Sequence, residues 1–467
     1  MRTHVIQNVH PEYVAKCNLW RRYSDLYAGG EQLRKRGMEY LIQRSKEPAE
    51  VYYERLSRIF YENYIGSIID WYSATLLRRE PVVEFTGEDP AAKRYFEAFM
   101  QNCDRKGTSL AEFFRQQISQ FLIYGRAYAV ADFPRASGVI TNRGEEDAAG
   151  LSHAYLTSYL PEQVTNWSKN AQGEYDWVVL QAESLVQPSP GAEPVQETTW
   201  TYYDREHYEV YRRAGDASTG GDVSLIDHGA HGLAQQHRVP IFELKTSDGL
   251  WLMNKAALLQ LEHFNKSNGL AWALTMGLFA MPVIYSNKPW NQMVGESYYI
   301  QLGQDDRFGW TEPEGRVYRL AAENLDRLKD EIYRVCYLLS QAGKTESGGL
   351  PQSGLSKQLD FGITQEILRA YGDIVKGGIR QVLGAIASAR QDDLTVDVSG
   401  LDEFDIGDFS TELANAQNLL ALGIESPTLK RQMFKKLAFK YLSDSRQELK
   451  NIIAQEIDSS LADTPTQ

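Results

Sequence analysis

The alternation of hydrophobic and polar positions changes period repeatedly between Gly249 and Gly354, and the rest of the chain is arranged around that stretch. From Trp251 the run WLMNKAALLQLEHFNKSNGLAWALTMGLFAM holds good helix formers and meets no proline before Pro282. It predicts a rod of roughly 40 Å at about 1.5 Å per residue. Short β-type runs follow at Val283–Tyr285 and Ser297–Ile300, broken by turn residues at Lys288-Pro289, Gly295, Gly303, Gly309 and Pro313-Glu314-Gly315. Helical period returns with Leu325, Leu328, Ile332, Val335 and Leu339, spaced three or four apart on one apolar face. Lys344–Gly354 (KTESGGLPQSG) is too rich in Gly, Ser and Pro for helix or strand. The pattern therefore reads as a long helix over 249–281, a small strand-bearing insert over 282–321, a returning helix over 322–343 and a loop over 344–354.

The preceding 248 residues read as α+β with a mostly antiparallel sheet. Helices are predicted at Glu12–Tyr27, at Ala49–Leu77 as one rod, at Pro90–Asn102 and at Ser109–Tyr124. Strand-like runs fall at Val82–Phe85, Ala127–Phe133, His153–Leu160, Trp177–Leu185, Thr199–Tyr203, His207–Arg212 and Val239–Leu244. Arg135–Gly150, Gln187–Glu197 and Gly215–Gly221 have loop or linker composition. After the central stretch, Leu355–Ala389 is helical in character but carries Gly372, Gly377, Gly378 and Gly384. Each interior glycine costs up to about 1 kcal/mol relative to alanine, which predicts close packing on a neighbour, a kink, or both. Asp393–Val398 alternates like a strand returning to the first sheet. Phe409–Leu422, Pro427–Phe439 and Ser443–Leu461 form a helical C-terminal domain over 409–467, with Ser426-Pro427 supplying cap chemistry.

A helix–insert–helix excursion is a poor core by itself. The insert is too small to bury much surface, and each helix offers a narrow apolar stripe. Contacts from neighbouring copies would complete it, so the pattern predicts a ring. Leu259 and Trp272 on the first helix, with Leu325, Leu328, Ile332 and Val335 on the second, are the expected subunit-interface positions.

Composition narrows the function classes. The formal charge of −13 over 467 residues argues against a protein that grips nucleic acid over its whole surface, though not against one that surrounds DNA without holding it. Hydrophobic residues at 43% and aromatics at 11% suffice for ordinary cores, and the mean hydropathy is −0.43. Cys17, Cys103 and Cys336 are odd in number and far apart, which predicts no disulfide framework and a reducing compartment. The N-terminus lacks the apolar segment of a secretory signal. Gly269–Tyr285 is almost wholly apolar and lies in a charge-free run between Lys266 and Lys288. A membrane span needs about 20 such residues, so an interface helix is the favoured reading and a membrane-associated oligomeric channel the rival.

Motifs for chemistry are scarce. Gly343-Lys344-Thr345 lacks the glycine a phosphate loop needs, having Leu338 there, and it follows a helix where the motif follows a strand. No HExxH or GxSxG occurs, and His228 with His231 is too sparse for a metal site. His263 on the first long helix reads as a packed residue. Asp402, Glu403, Asp405 and Asp408 lack calcium-loop spacing and read as a solvated turn. No catalytic activity, cofactor or metal is expected.

This order resembles the portal proteins of tailed bacteriophages. Local runs that fit are Tyr124-Gly125-Arg126-Ala127-Tyr128, Arg238-Val239-Pro240-Ile241-Phe242 before the first long helix, and Ser353-Gly354-Leu355-Ser356-Lys357 at the start of the glycine-bearing one. The resemblance implies a wing with a mixed sheet over 1–248, two stem helices, an α/β clip over 282–321 and a tunnel loop over 344–354. A broken wing helix with a returning strand would occupy 355–408, and a crown 409–467. It further implies a ring of twelve subunits at a capsid vertex, assembled in the host cytoplasm, with double-stranded DNA passing through. The implied partners are the terminase large subunit, major capsid and scaffolding proteins, and head-completion or tail-adaptor proteins. The tunnel-loop positions facing DNA would be Lys344, Thr345, Glu346, Ser347, Gln352, Ser353 and Lys357. Trp290, Tyr298, Tyr299, Asp305, Asp306, Arg307 and Phe308 would form the clip surface that docks the motor, although the aromatics fill the insert's own core equally well.

Overall fold

The computed structural model describes residues 3–134, 150–187, 189–214, 222–277, 281–286, 302, 304–311, 315–338, 354–402, 404, 409–424, 426–442 and 447–462. The chain is α+β and divides into two compact units. One comprises Met1–Trp20, Asp70–Trp251 and Gln358–Gln467; the other comprises Arg21–Ile69 and Leu252–Lys357.

In the first unit, β4 (Val164–Lys169), β5 (Tyr175–Val186), β6 (Val195–Asp204), β7 (His207–Ala214) and β8 (Ser224–Ala230) pair in sequence order as an antiparallel meander. Side chains of a strand alternate between faces, so β5 splits its apolar residues. Val178 and Leu180 join a core with Trp167, Tyr203 and Tyr208, while Val179 faces Trp200, Tyr202, Tyr211 and Ile6 of the short Thr3–Gln7 helix. A three-stranded sheet of β3 (Tyr155–Tyr159), β2 (Arg126–Asp132) and β9 (Ile241–Lys245) supplies Tyr128, Val130 and Ile241 to the first of those cores. β1 (Val82–Thr86) pairs with β12 (Thr395–Ser399) alone, where the sequence placed the returning strand in the main sheet. All pairings among the described strands are antiparallel, so the mixed sheet implied by the resemblance is corrected.

The helix Leu110–Tyr124 begins at a Ser109 cap, whose Oγ accepts from the Glu112 N–H at 3.2 Å, and ends at Gly125 with φ +76°. A Cβ on Gly125 would lie 2.8 Å from the Trp251 ring, so glycine satisfies both the left-handed turn and the close approach. The anticipated break in the glycine-bearing helix is corrected: Gly354–Arg390 is one helical run of 37 residues. Two of its glycines are packing contacts. A Cβ on Gly378 would lie 2.4 Å from Leu244, and one on Gly372 would lie 2.1 Å from the Leu401 carbonyl oxygen. Gly377 and Gly384 meet nothing within 4 Å. Tyr371, fully buried, stacks edge-on against Tyr72 and Phe121 at centroid distances of 5.8 and 5.5 Å.

A charged cluster centred on the largely buried Arg126 and Glu243, with half-buried partners, also lies in this unit. Arg126 Nη2 lies 2.6 Å from Glu12 and its Nη1 3.8 Å from Glu243, while Glu243 Oε2 takes Lys169 at 2.6 Å and the Tyr175 hydroxyl at 3.0 Å. Burial opposes ionisation of Glu12, but Arg126 and Lys16 outweigh it and hold the carboxyl at about 2. Each charge is met by an opposite one or by a hydroxyl, as a buried network must be. At the C-terminus, helices Phe409–Ala421, Pro427–Tyr441 and Gln447–Ala462 follow the predicted order, with Ser426 Oγ accepting from the Leu429 N–H at 3.3 Å.

The second unit holds the long helix Leu252–Gly277, the helix Gly315–Val335, and the ribbon of β10 (Met281–Tyr285) and β11 (Arg307–Thr311). Its other part departs from the sequence expectation. Ala49–Leu77 is two helices, Ala49–Ser57 and Tyr64–Leu76, with the break at 58–63. The reason lies in the long helix, whose side-chain amides satisfy the backbone of the break.

Candidate functional site

The helical pair is antiparallel. Lys255 contacts the Tyr337 hydroxyl, Lys266 Nζ lies 2.9 Å from Asn324 Oδ1, and the Tyr318 hydroxyl reaches the Ala273 carbonyl at 3.3 Å. As one helix advances, its partner retreats. The chain passes from Gly277 into the ribbon and from the ribbon into Gly315, with Met281 opposite Thr311 and Tyr285 opposite Arg307. Gly309 was read as a breaker, yet it sits in β11 opposite Val283, where the ladder and not the residue's own preference sets the conformation.

The buried face of Leu252–Gly277 carries three carboxamides. Gln260 Oε1 accepts from the Ile65 N–H at 3.2 Å while its Nε2 donates to the Glu62 carbonyl at 2.8 Å. Asn265 Oδ1 accepts from the Ile42 N–H at 2.8 Å and its Nδ2 donates to the Tyr40 carbonyl at 3.0 Å. Asn268 makes the same pair of bonds with Phe60. Each amide supplies the donor and the acceptor that an interrupted helix lacks at that point. Sequence reasoning missed them; uncharged polar residues on the inner face of an otherwise apolar helix were the available signal.

His263 lies on the same face, 2% exposed, with Nε2 3.4 Å from Glu62 and its ring edge-on to Tyr64. Burial pushes its pKa below the usual imidazole value. Trp272 is half-buried with the Arg58 guanidinium 5.9 Å from its ring, and Leu259 is half-buried.

The apolar stripe of Gly315–Val335 forms as the spacing predicts, but within one protomer. Ile332 is fully buried and Leu328 is 5% exposed, while Leu325 and Val335 are half-buried. Among the described residues, Leu258, Leu274, Val317 and Leu320 are apolar side chains left at the surface of the pair.

On the ribbon, Asp305 and Arg307 are exposed, Asp306 is half-buried, and Phe308 stands opposite Ile284. Trp290, Tyr298 and Tyr299 lie outside the described residues, as do Lys344, Thr345, Glu346, Ser347, Gln352 and Ser353. Lys357 is on the first turns of the Gly354–Arg390 helix. Among the described residues, no group of His, Cys, Asp and Glu is placed to hold a metal ion, and no helix is long and apolar enough to cross a membrane. His231 is buried with both nitrogens engaged: Nε2 faces the Asp204 carbonyl at 2.9 Å and Nδ1 accepts from the Leu233 N–H at 3.2 Å.

No family model matches the sequence, and no curated protein matches it. Solved structures similar to it include chains of gene transfer agent particles. A chain in the neck of the empty particle, computed with C6 symmetry, is 15% identical, with 79% of this chain and 90% of that chain covered and a TM-score of 0.46. A chain of the native virion is 13% identical over 86% of this chain and 98% of that one, with a TM-score of 0.42. A chain in the native neck, computed with C12 symmetry, is 13% identical over 76% and 84%, with a TM-score of 0.39. At these identities and TM-scores the likeness assigns no function.

Proposed function

We propose that the chain is a portal protein, a subunit of a ring at one capsid vertex through which double-stranded DNA is packaged and ejected. The observation that carries this reading is the excursion itself. The chain leaves the first unit at Trp251, forms an antiparallel helical pair tipped by a two-stranded ribbon, and re-enters that unit at Gln358. β12 then pairs with β1, so the excursion is an insertion within a unit that closes behind it. Twelve copies would set the helical pairs around a bore. Lys344–Gly354, with one cation and one anion, would touch passing DNA weakly and without sequence preference. Asp305, Asp306 and Arg307 at the ribbon would face the terminase motor and later the head-completion proteins. The protein would act as a conduit without catalysis.

Negative-stain microscopy of the purified chain tests the ring directly: closed rings with a central channel are expected, and monomers at all concentrations would overturn the reading. A photo-reactive group at Ser347 or Gln352 should capture DNA in particles stalled during packaging, while one at Asp216 should not. Equal labelling at both places would put the channel elsewhere.

A further inference from the structure

Outside the helical pair, a cavity of about 650 Å³ opens between the turn Asp104–Thr108, the start of the Leu110–Tyr124 helix and β3. The turn is held from within. Asp104 accepts from the Lys106 N–H at 2.8 Å, the Thr108 N–H at 3.1 Å and the Thr108 hydroxyl at 2.7 Å. Asn102 Oδ1 accepts from the Gly107 N–H at 2.9 Å, and the Cys103 carbonyl takes the Leu156 N–H of β3 at 2.7 Å. These bonds keep Arg105 at φ +62°, a conformation that L residues with side chains rarely adopt.

The electrostatic consequence follows from who bonds to whom. The Asp104 carboxylate keeps its charge but takes its hydrogen bonds from the turn's own neutral donors, so it forms no direct ion pair with Arg105 or Lys106. Among the described residues, the exposed Arg105 and Lys106 side chains have no acidic partner. Among the described residues, two cations without an ion-pair partner therefore stand at the rim of a pocket in a chain whose net charge is −13. The floor is different: Phe113 and Leu156 form it, and Pro134 closes one side.

We propose that this pocket docks a short acidic segment of a partner protein, with carboxylates on Arg105 and Lys106 and one apolar side chain on Phe113 and Leu156. The volume lies in the range of sites that enclose a few side chains, about 300–1,000 Å³. Duplex DNA fits the same charges less well. It presents phosphates on a convex surface at about one charge per 1.7 Å of axis, which asks for a stripe of cations and makes no use of a concave apolar floor.

Fluorescence anisotropy of a labelled Asp-Glu-Phe-Asp-Glu peptide against the full chain reads the docking. Saturable binding is expected, weakened about tenfold by Arg105→Gly or Lys106→Gln, and weakened again when the peptide's Phe becomes Ser. Arg105→Gly separates the site from the scaffold, because it removes the guanidinium and also relieves the left-handed φ. Affinity should fall while the Tm holds or rises. Tighter binding of a short DNA duplex than of the peptide overturns the proposal, as does unchanged peptide affinity in both variants or a failure to saturate at millimolar peptide.

Discussion

Asn268 holds both backbone groups of a single residue: its Nδ2 donates to the Phe60 carbonyl at 2.9 Å, and its Oδ1 accepts from the Phe60 N–H at 3.1 Å. A residue at a helix break cannot make those bonds within its own segment, and Asn268 makes them instead. Asn268→Leu keeps the bulk and removes both partners, leaving the backbone of Phe60 unsatisfied. Leaving a buried polar group unpaired costs about 1–3 kcal/mol. Phe60 is 41% exposed, so the variant should lose stability at the low end of that scale in a urea titration. Proteolysis should then open first at 58–63. Unchanged cleavage there would show that water replaces the amide.

The two positions on the Gly315–Val335 helix that face inward should behave unlike those that face outward. Ile332→Ala opens a cavity inside the protomer and should cost about 2–5 kcal/mol. Leu320 is 54% exposed, so Leu320→Asp should leave the Tm of the dilute chain nearly unchanged. If the ring reading holds, Leu320→Asp lowers the assembled mass in light scattering, and a variant that assembles normally removes this face from the interface.

Gly378 and Gly384 make a second contrasting pair. Alanine at Gly378 meets Leu244 at 2.4 Å and must displace it, so Gly378→Ala should lower the Tm. Gly384 opens on free space in a helix interior, and Gly384→Ala should stabilise by about 0.5–1 kcal/mol. Paired calorimetric scans of the two variants check both signs.

Acid should weaken the first unit through His231. Burial lowers its folded-state pKa, despite the Asp204 carbonyl, and the Leu233 N–H occupies Nδ1 only while the ring is neutral. The unfolded chain therefore binds the proton more readily, and stability rises with pH between the folded value and about 6.5. As pH falls below about 6.5 that contribution is lost. His231→Asn keeps an acceptor for Leu233 without a titrating ring, so its Tm should change less than wild type between neutral and mildly acidic pH. Parallel curves would assign the acid limb to other groups.

Glu12 works in a lower window. Its carboxyl is held at about 2 in the folded state, so the stability it shares with Arg126 is present above about 4.5 and is lost as pH falls through 2. Glu12→Gln should be less stable than wild type at neutral pH, with the gap closing in strong acid. A gap that persists there would make its origin packing and not charge.

Much of this architecture was legible in the chain because it rests on local signals. The apolar stripe from Leu325 to Val335, the cap at Ser426-Pro427 and the Gly125 turn all declare themselves in a few residues. What failed to show was set by partners distant in sequence. Near 58–63 the one local signal is Asn63, whose Oδ1 accepts from the Gly66 N–H at 2.9 Å as a helix cap. The other groups that stabilise the break, Gln260 and Asn268, are remote. The glycines of Gly354–Arg390 announced close packing without naming its partners, because Leu244 is remote and Leu401 follows the helix. β4 and β8 escaped notice since their pattern is weak alone and is completed by the meander. The turn at Arg105 looks like an ordinary basic loop until the fate of the Asp104 carboxylate is known.

The ladder between β1 and β12 joins Thr86 to Thr395, residues 309 positions apart. During translation, β1 emerges early and its partner strand only after the whole helical excursion has been made. At about 5–20 residues per second that interval is on the order of 15–60 s. Throughout it, Val82–Thr86 presents an unpaired edge that could be claimed by another nascent chain. The risk to this protein is therefore one of timing on the ribosome, and slowing synthesis after Thr86 should increase aggregation more than slowing it after Ser399.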